Sequence, residues 1–219
     1  MKTLLVILFV GILIIIFIVS GCYSRNTIKG SGNKISESRE LDNFSSLELF
    51  GSIDVNMSFG KEYSCIVEGD DNLVHFIRTE VKDQQLQILI KQNYSTIKGL
   101  LVNITAPEYD KVSILGSGDV NLSDVNHETL SLKISGSGNI IAIGRVKKLL
   151  ANVNGSGDLK LSKLQSNNAT ITINGSGDAK IWASESLTAK VNGSGDITYY
   201  GDPENVQSKV NGSGNIIKN

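Results

Sequence analysis

Val153-Asn154-Gly155-Ser156-Gly157-Asp158-Leu159-Lys160-Leu161 is the stretch that decides the fold. Its central tetrapeptide recurs, with Asp or Asn in last place, starting at Gly116, Gly136, Gly155, Gly175, Gly193 and Gly212, so the first glycines are 20, 19, 20, 18 and 19 residues apart. A period in that range marks a solenoid, in which each unit is too small to bury its own apolar face and does so only by stacking on its neighbours.

Counting from the first glycine as zero, positions −4, −2, +4 and +6 are mostly apolar, as in Ile171, Ile173, Ala179 and Ile181. Both glycines also fall on even positions, so one period of two runs through the motif. Two short strands with one inward face therefore flank a point where inward side chains are missing, and the chain bends there over the core. Odd positions face outward and are polar: −1 holds Asn154, Asn174, Asn192 and Asn211, +1 is always Ser, and +3 is always Asp or Asn. In a parallel β-solenoid with coils about 4.8 Å apart these become ladders, and stacked asparagine amides bond to one another. The segments between units, such as Ser123 to Thr129 and Ile143 to Lys148, vary in length and are expected to be loops.

The chain of 219 residues has a formal charge of −1, 22 glycines and 2 prolines. That composition suits one β-rich body and excludes disorder, coiled coil and a nucleic-acid partner, which would need a basic surface. Residues 3–19 are almost wholly apolar and end in Val19-Ser20-Gly21-Cys22. This resembles the bacterial lipobox, which implies a signal peptide over 1–21, cleavage after Gly21, a lipid on Cys22 and an extracytoplasmic, membrane-anchored protein, at the outer membrane or cell surface if the cell is Gram-negative. An uncleaved membrane helix is the competing reading, since 17 residues approach a span. Cys65, left without a partner, is expected to be a small buried strand residue.

Residues 22–37 are polar and are expected to be a flexible tether before a β-body over 38–219. In its first part, 38–108, Leu47, Leu49, Ile53, Val55 and Met57 alternate with polar residues around a Gly51-Ser52 corner, and Asn72 to Arg78 suggests a helical turn. This half lacks the regular repeat and is expected to form wider, irregular coils of the same stack, while 109–219 forms the coils of 18–20 residues.

Arg39-Glu40-Leu41-Asp42-Asn43-Phe44, the run Leu47-Glu48-Leu49-Phe50-Gly51-Ser52-Ile53-Asp54-Val55 and the Gly-Ser-Gly-Asp/Asn units after Pro107 together resemble the "putative auto-transporter adhesin, head GIN domain" family of bacterial envelope proteins. The resemblance covers nearly all of the body. It implies an all-β, right-handed, single-stranded parallel β-helix at the cell surface with an adhesive or structural binding role, and it supplies no catalytic residues.

Several side chains are candidates for binding. Asp119, Asp158, Asp178 and Asp196 form an outward acidic column. Neighbouring charges about 5 Å apart cost on the order of 1 kcal/mol in water, so a cation such as calcium, backbone N–H groups at the bend or solvation must relieve them. A β-roll, however, would carry Gly-Gly-x-Gly-x-Asp at both corners of a coil, and here Asp follows the second Gly at one corner only. Trp182 and Tyr200, beside the Asn154, Asn174 and Asn192 ladder, are candidates for carbohydrate contact, against the plainer reading that they fill a loop and a strand end. The tetrapeptide is not a phosphate-cradling loop, because a strand and not a helix follows it. His75 and His127 lie in different halves and belong to no Ser/Asp or zinc constellation, and each is expected to be exposed or satisfied, so no enzyme is expected. The class alternative is a β-helix that cleaves polysaccharides with clustered carboxylates and basic residues. Partners expected are a membrane, a glycan or envelope protein, and a second copy through the C-terminal end, where no capping element follows Asn215-Ile216-Ile217-Lys218-Asn219.

Overall fold

The computed structural model describes residues 27–219, so the leader expected over 1–21 and the lipidation expected at Cys22 lie outside the described residues. The first ten elements are β1 (Ile28–Lys29), β2 (Lys34–Arg39), β3 (Ser46–Gly51), β4 (Asp54–Phe59), β5 (Ser64–Asp70), α1 (Asp71–Val74), β6 (Ile77–Lys82), β7 (Gln85–Ile90), β8 (Tyr94–Ser95) and β9 (Leu101–Ala106). Then come β10 (Lys111–Gly116), β11 (Val120–Gly136), β12 (Ile140–Gly155), β13 (Leu159–Gly175), β14 (Ala179–Trp182), β15 (Ser186–Gly193), β16 (Ile197–Tyr200), β17 (Asn205–Gly212) and β18 (Ile216–Lys218). Together they build an all-β solenoid of about five turns.

From β10 onward the coils stack in register, each equivalent residue over the last. Val112 lies beside Leu132, Ile114 beside Ile134 and Gly116 beside Gly136, and the same columns continue through Gly155, Gly175, Gly193 and Gly212. Even positions are inward as the alternation requires: Leu132, Ile134, Ile140, Val153, Leu159, Ile171, Ile173 and Ile181 are buried in one continuous core. At this burial each such aliphatic side chain contributes about 1.5–3 kcal/mol, which is how short units hold together only as a stack.

Of the segments expected as loops, those inside β11, β12 and β13 are instead strand and build a third side, whereas 183–185 and 201–204 are loops as expected. In β11 and β12 the strand runs on past the corner, with Asn126 beside Arg145, His127 beside Val146 and Leu130 beside Leu149. Length differences are taken up by register shifts between Leu122 and Val125 and between Ile141 and Ile143, so a bulge does the work expected of a loop. Val125, Val146, Leu164 and Ala169 point inward and pay for the extra ordering with buried surface.

The N-terminal half departs further from expectation. β3 and β4 form a coil around Gly51-Ser52, but β7 and β9 pair parallel to one side of it and β10 and β11 to the other. The coil made second in the sequence therefore lies beneath the first, and the chain then returns above it. Below that, apart from the short parallel pair of β1 with β8, the pairing reverses: β5 runs antiparallel to β9, β2 to β5 and β6 to β7, closing this end of the stack. The β6–β7 reversal pairs Lys82 with Gln85, and the two residues between, Asp83 and Gln84, have φ of 50° and 59°, as a tight hairpin turn with the sheet's twist demands.

The stretch 22–37, expected as a tether, is structured from Ile28 onward. Its anchor is Asp70, a fully buried carboxylate that accepts Gly32 N–H at 2.7 Å, Thr96 Oγ1–H at 2.6 Å, and the N–H groups of Ile97 and Lys98 at 3.0 and 3.3 Å. The Thr96 hydroxyl first, and these N–H groups with it, hold the carboxyl down at about 2 against the work of burying it. Arg39 adds a second clasp, donating to the carbonyls of Val74 at the end of α1 and Ile77 at the start of β6. Cys65 is buried on β5 as expected, and burial pushes its thiol up to about 11.

Candidate functional site

The repeated corner is a backbone device. At each coil the N–H of the Ser points at the carbonyl of the first Gly one coil below: Ser137 to Gly116 at 2.9 Å, Ser156 to Gly136 at 3.0 Å, Ser176 to Gly155 at 2.9 Å. The second Gly shares the same acceptor in most coils, as Gly177 does with Gly155 at 3.3 Å. A Cβ on Gly155 would lie 2.2 Å from the Gly136 oxygen and one on Gly157 2.0 Å from the Gly138 oxygen. Gly155 also has φ of +138°. Glycine is thus required by the approach of one coil's backbone to the next, a stronger demand than the missing inward side chain alone.

This corner carries two columns of polar side chains. In the first, Asn174 Nδ2 donates to Asn154 Oδ1 at 2.8 Å, Asn192 to Asn174 at 2.6 Å and Asn211 to Asn192 at 2.8 Å, the ladder the −1 positions predict. In the second, each +3 residue accepts the backbone N–H of its counterpart one coil above: Asp119 from Asn139 at 2.8 Å, Asn139 from Asp158 at 3.0 Å, Asp158 from Asp178 at 2.9 Å, Asp178 from Asp196 at 2.8 Å and Asp196 from Asn215 at 2.7 Å. Asp54 heads the column, taking Asp119 N–H at 2.9 Å. The spacing Gly51-Ser52-Ile53-Asp54 was the signal for it. These charge-assisted bonds supply the N–H route for relieving the acidic column. Among the described residues no three His, Cys, Asp or Glu side chains converge as a metal site.

Trp182 and Tyr200 are neighbours in register on β14 and β16, both half-buried. They end the strand after the corner, whereas Asn154, Asn174 and Asn192 end the strand before it, so aromatic pair and amide ladder lie on opposite sides of the bend. His127 is not a satisfied histidine. Its Nε2 is buried without a partner against the edge of Tyr109, ring centroids 4.5 Å apart, and burial lowers its pKa although Asp110 and Glu108 lie near. It borders a hollow of about 730 Å³ with Glu108, Asp110 and Glu128.

A second ladder escaped the repeat. Asn121 Nδ2 donates to Asn56 Oδ1 at 3.0 Å, Asn56 Nδ2 to Asn103 Oδ1 at 3.0 Å, and Asn103 Nδ2 to Glu68 at 3.3 Å, with Lys34 on Glu68 at 2.6 Å. Its three asparagines come from β11, β4 and β9, far apart in sequence.

The family model for "putative auto-transporter adhesin, head GIN domain" matches residues 43–203. The chain belongs to this family. Head GIN domain membership implies an extracellular or surface location. Among solved structures, a putative adhesin from Bacteroides fragilis is 22% identical with a TM-score of 0.70, covering 88% of this chain and 100% of that one. From Parabacteroides distasonis come a putative adhesin at 21% identity and TM-score 0.51 and a putative lipid binding protein at 23% and 0.50, each covering 89% of this chain and 100% of its own. At these identities they show the shared head GIN fold. The family and these neighbours are named as adhesins or binding proteins, not as enzymes. No curated protein matches the chain.

Proposed function

We propose that the protein is a non-catalytic cell-envelope lipoprotein, anchored through Cys22, whose repetitive β-solenoid surface binds a partner outside the cytoplasm. The observation that carries this is the unbroken Asn154–Asn174–Asn192–Asn211 ladder, which repeats one set of hydrogen-bonding groups at each coil. Repeated groups at fixed spacing suit a repetitive ligand, because each further contact is made at high effective concentration. Assembly of two copies belongs to the same reading: β17 pairs only with β15 among the described strands, and Val206 and Val210 on it are exposed.

The test uses cells. Deleting the gene is expected to reduce attachment to a host-cell or glycan-coated surface, with restoration by the wild-type gene. The Cys22→Ser variant is expected to lose incorporation of a labelled fatty acid and to leave the membrane fraction. Unchanged attachment sinks the adhesive role, and unchanged labelling sinks the anchor. A strict monomer by light scattering at high concentration removes the self-association.

A further inference from the structure

We infer that the outward face of β9, β4 and β11 is a binding site for a neutral oligosaccharide. It deepens, and rests on, the binding role proposed above.

The register draws one column across five strands: Ile66 on β5, Asn103 on β9, Asn56 on β4, Asn121 on β11 and Ile141 on β12, each beside the next. Their strand neighbours Ile104, Met57 and Leu122 are buried, so these side chains stand on the outer face. The two ends are exposed isoleucines, Ile66 at 41% and Ile141 at 36%, with Ile143 beside the latter at 45%. Between them lies a hollow of about 410 Å³, floored by the three asparagines together with Ser58, Thr105 and Ser123. Aliphatic side chains at both ends of an amide row give this depression apolar surface together with convergent hydrogen-bonding groups, the combination a ligand site uses.

The chemistry of the row narrows the ligand. Each amide has two N–H donors and an acceptor oxygen. The ladder uses one N–H of each and leaves the second free, and at Asn121 it leaves the carbonyl oxygen as well. An acyl chain laid over this floor would strip water from those amides and return no hydrogen bond to the groups left unpaired. A charged ligand finds no counter-charge, because none of the lining residues is ionisable. Glu68, at the foot of the ladder, is already engaged by Lys34 and Asn103. A peptide strand cannot add to the sheet here, because β4 has β9 on one side and β11 on the other and offers no free backbone edge. A neutral sugar meets every condition: adjacent hydroxyls satisfy the amide's free N–H and oxygen, and the C–H faces of the rings rest on the isoleucines. With strands about 4.8 Å apart, the three polar strands between the walls span about three sugar rings.

The experiment takes the full-length protein in a detergent without sugar head groups and titrates chitotetraose, cellotetraose and mannotetraose by calorimetry, with palmitate and heparin fragments as the apolar and acidic probes. At least one neutral tetrasaccharide is expected to bind. The Asn56→Ala/Asn121→Ala double variant is expected to weaken it by about tenfold or more, and Ile141→Ser by a smaller factor. Lys147→Ala, at an exposed position outside the hollow, is expected to leave it unchanged. Urea midpoints establish that each variant is folded. The proposal is overturned if no neutral tetrasaccharide binds, if the first double variant binds as wild type, or if only palmitate or heparin binds. Absence of sugar binding together with gene-dependent attachment of cells would remove this site and keep the adhesive role. Sugar binding in a strain whose attachment does not need the gene would do the reverse.

Discussion

From Lys111 to the last strand each coil is held to the one below by the same backbone contact at the same corner, whereas the antiparallel end is held by side chains that occur once, Asp70 and Arg39. The difference lies in where tolerance resides. In the regular coils the glycines are fixed by neighbouring backbone that cannot yield, while the outward residues add side-chain bonds repeated from coil to coil. At the closing end the glycines have mixed reasons: Gly30 and Gly69 are crowded by the side chains of Asp70 and Leu100, whereas others are held only by their φ. Gly99, for example, has φ of +75° and nothing within 4 Å of where a Cβ would sit.

The same methyl group placed in both regions separates the two modes of attachment. Gly157→Ala drives a Cβ to 2.0 Å from the Gly138 oxygen, and is expected to cost about 4 kcal/mol or more, or to prevent folding, by urea unfolding. Gly99→Ala is expected to cost only about 1 kcal/mol. Equal losses would mean that the corner carbonyls are not the constraint.

Next in size is Arg39→Ala, expected to lower stability by about 2 kcal/mol, because it strips two carbonyls of a charged donor. Protease digestion should then start in β2 and leave the later coils intact.

Asp70 gives the end region a pH dependence that the regular coils do not share. Its carboxyl lies at about 2 in the folded chain, against an ordinary value of 3.8. Its stabilisation is therefore complete above the ordinary value and is lost as pH falls from near 3.8 towards 2. Asp70→Asn should be less stable at neutral pH and should show a flatter urea midpoint through that window than the wild type. A wild-type midpoint as flat as the variant's would contradict the buried carboxylate.

Smaller still is Asn174→Ala, expected to cost about 1 kcal/mol by interrupting the ladder on both sides. Lys147→Ala, which removes an exposed pair with Glu128 at 2.8 Å, should change stability by less than about 0.5 kcal/mol.

Much of the repeating half was legible because its signals are local. The tetrapeptide fixed the corner, parity fixed the buried face, and position −1 announced an amide ladder that the structure forms. What stayed hidden depends on which distant strands become neighbours. Leu47/Leu49, Leu86/Ile88 and Val112/Ile114 present the same alternation, and nothing in it says that the second pair slides under the first. For the same reason the Asn121–Asn56–Asn103 row could not be foreseen: its members lie 65 and 47 residues apart in pairs. The β6–β7 hairpin was missed because Asp83 and Gln84 adopt positive φ without a glycine to advertise it. The third side was mistaken for loops because its irregular lengths resemble insertion points, yet bulges let pairing continue.

The matching of Gly155 to Gly175 in register carries one evolutionary consequence. Because a unit begins and ends at backbone positions that superimpose, excising or duplicating residues 156–175 rejoins the polypeptide without a seam: the rod shortens or grows by one step of about 4.8 Å, and its cross-section stays the same. Unequal recombination between repeats would thus act as a ruler, resetting reach without redesigning any contact.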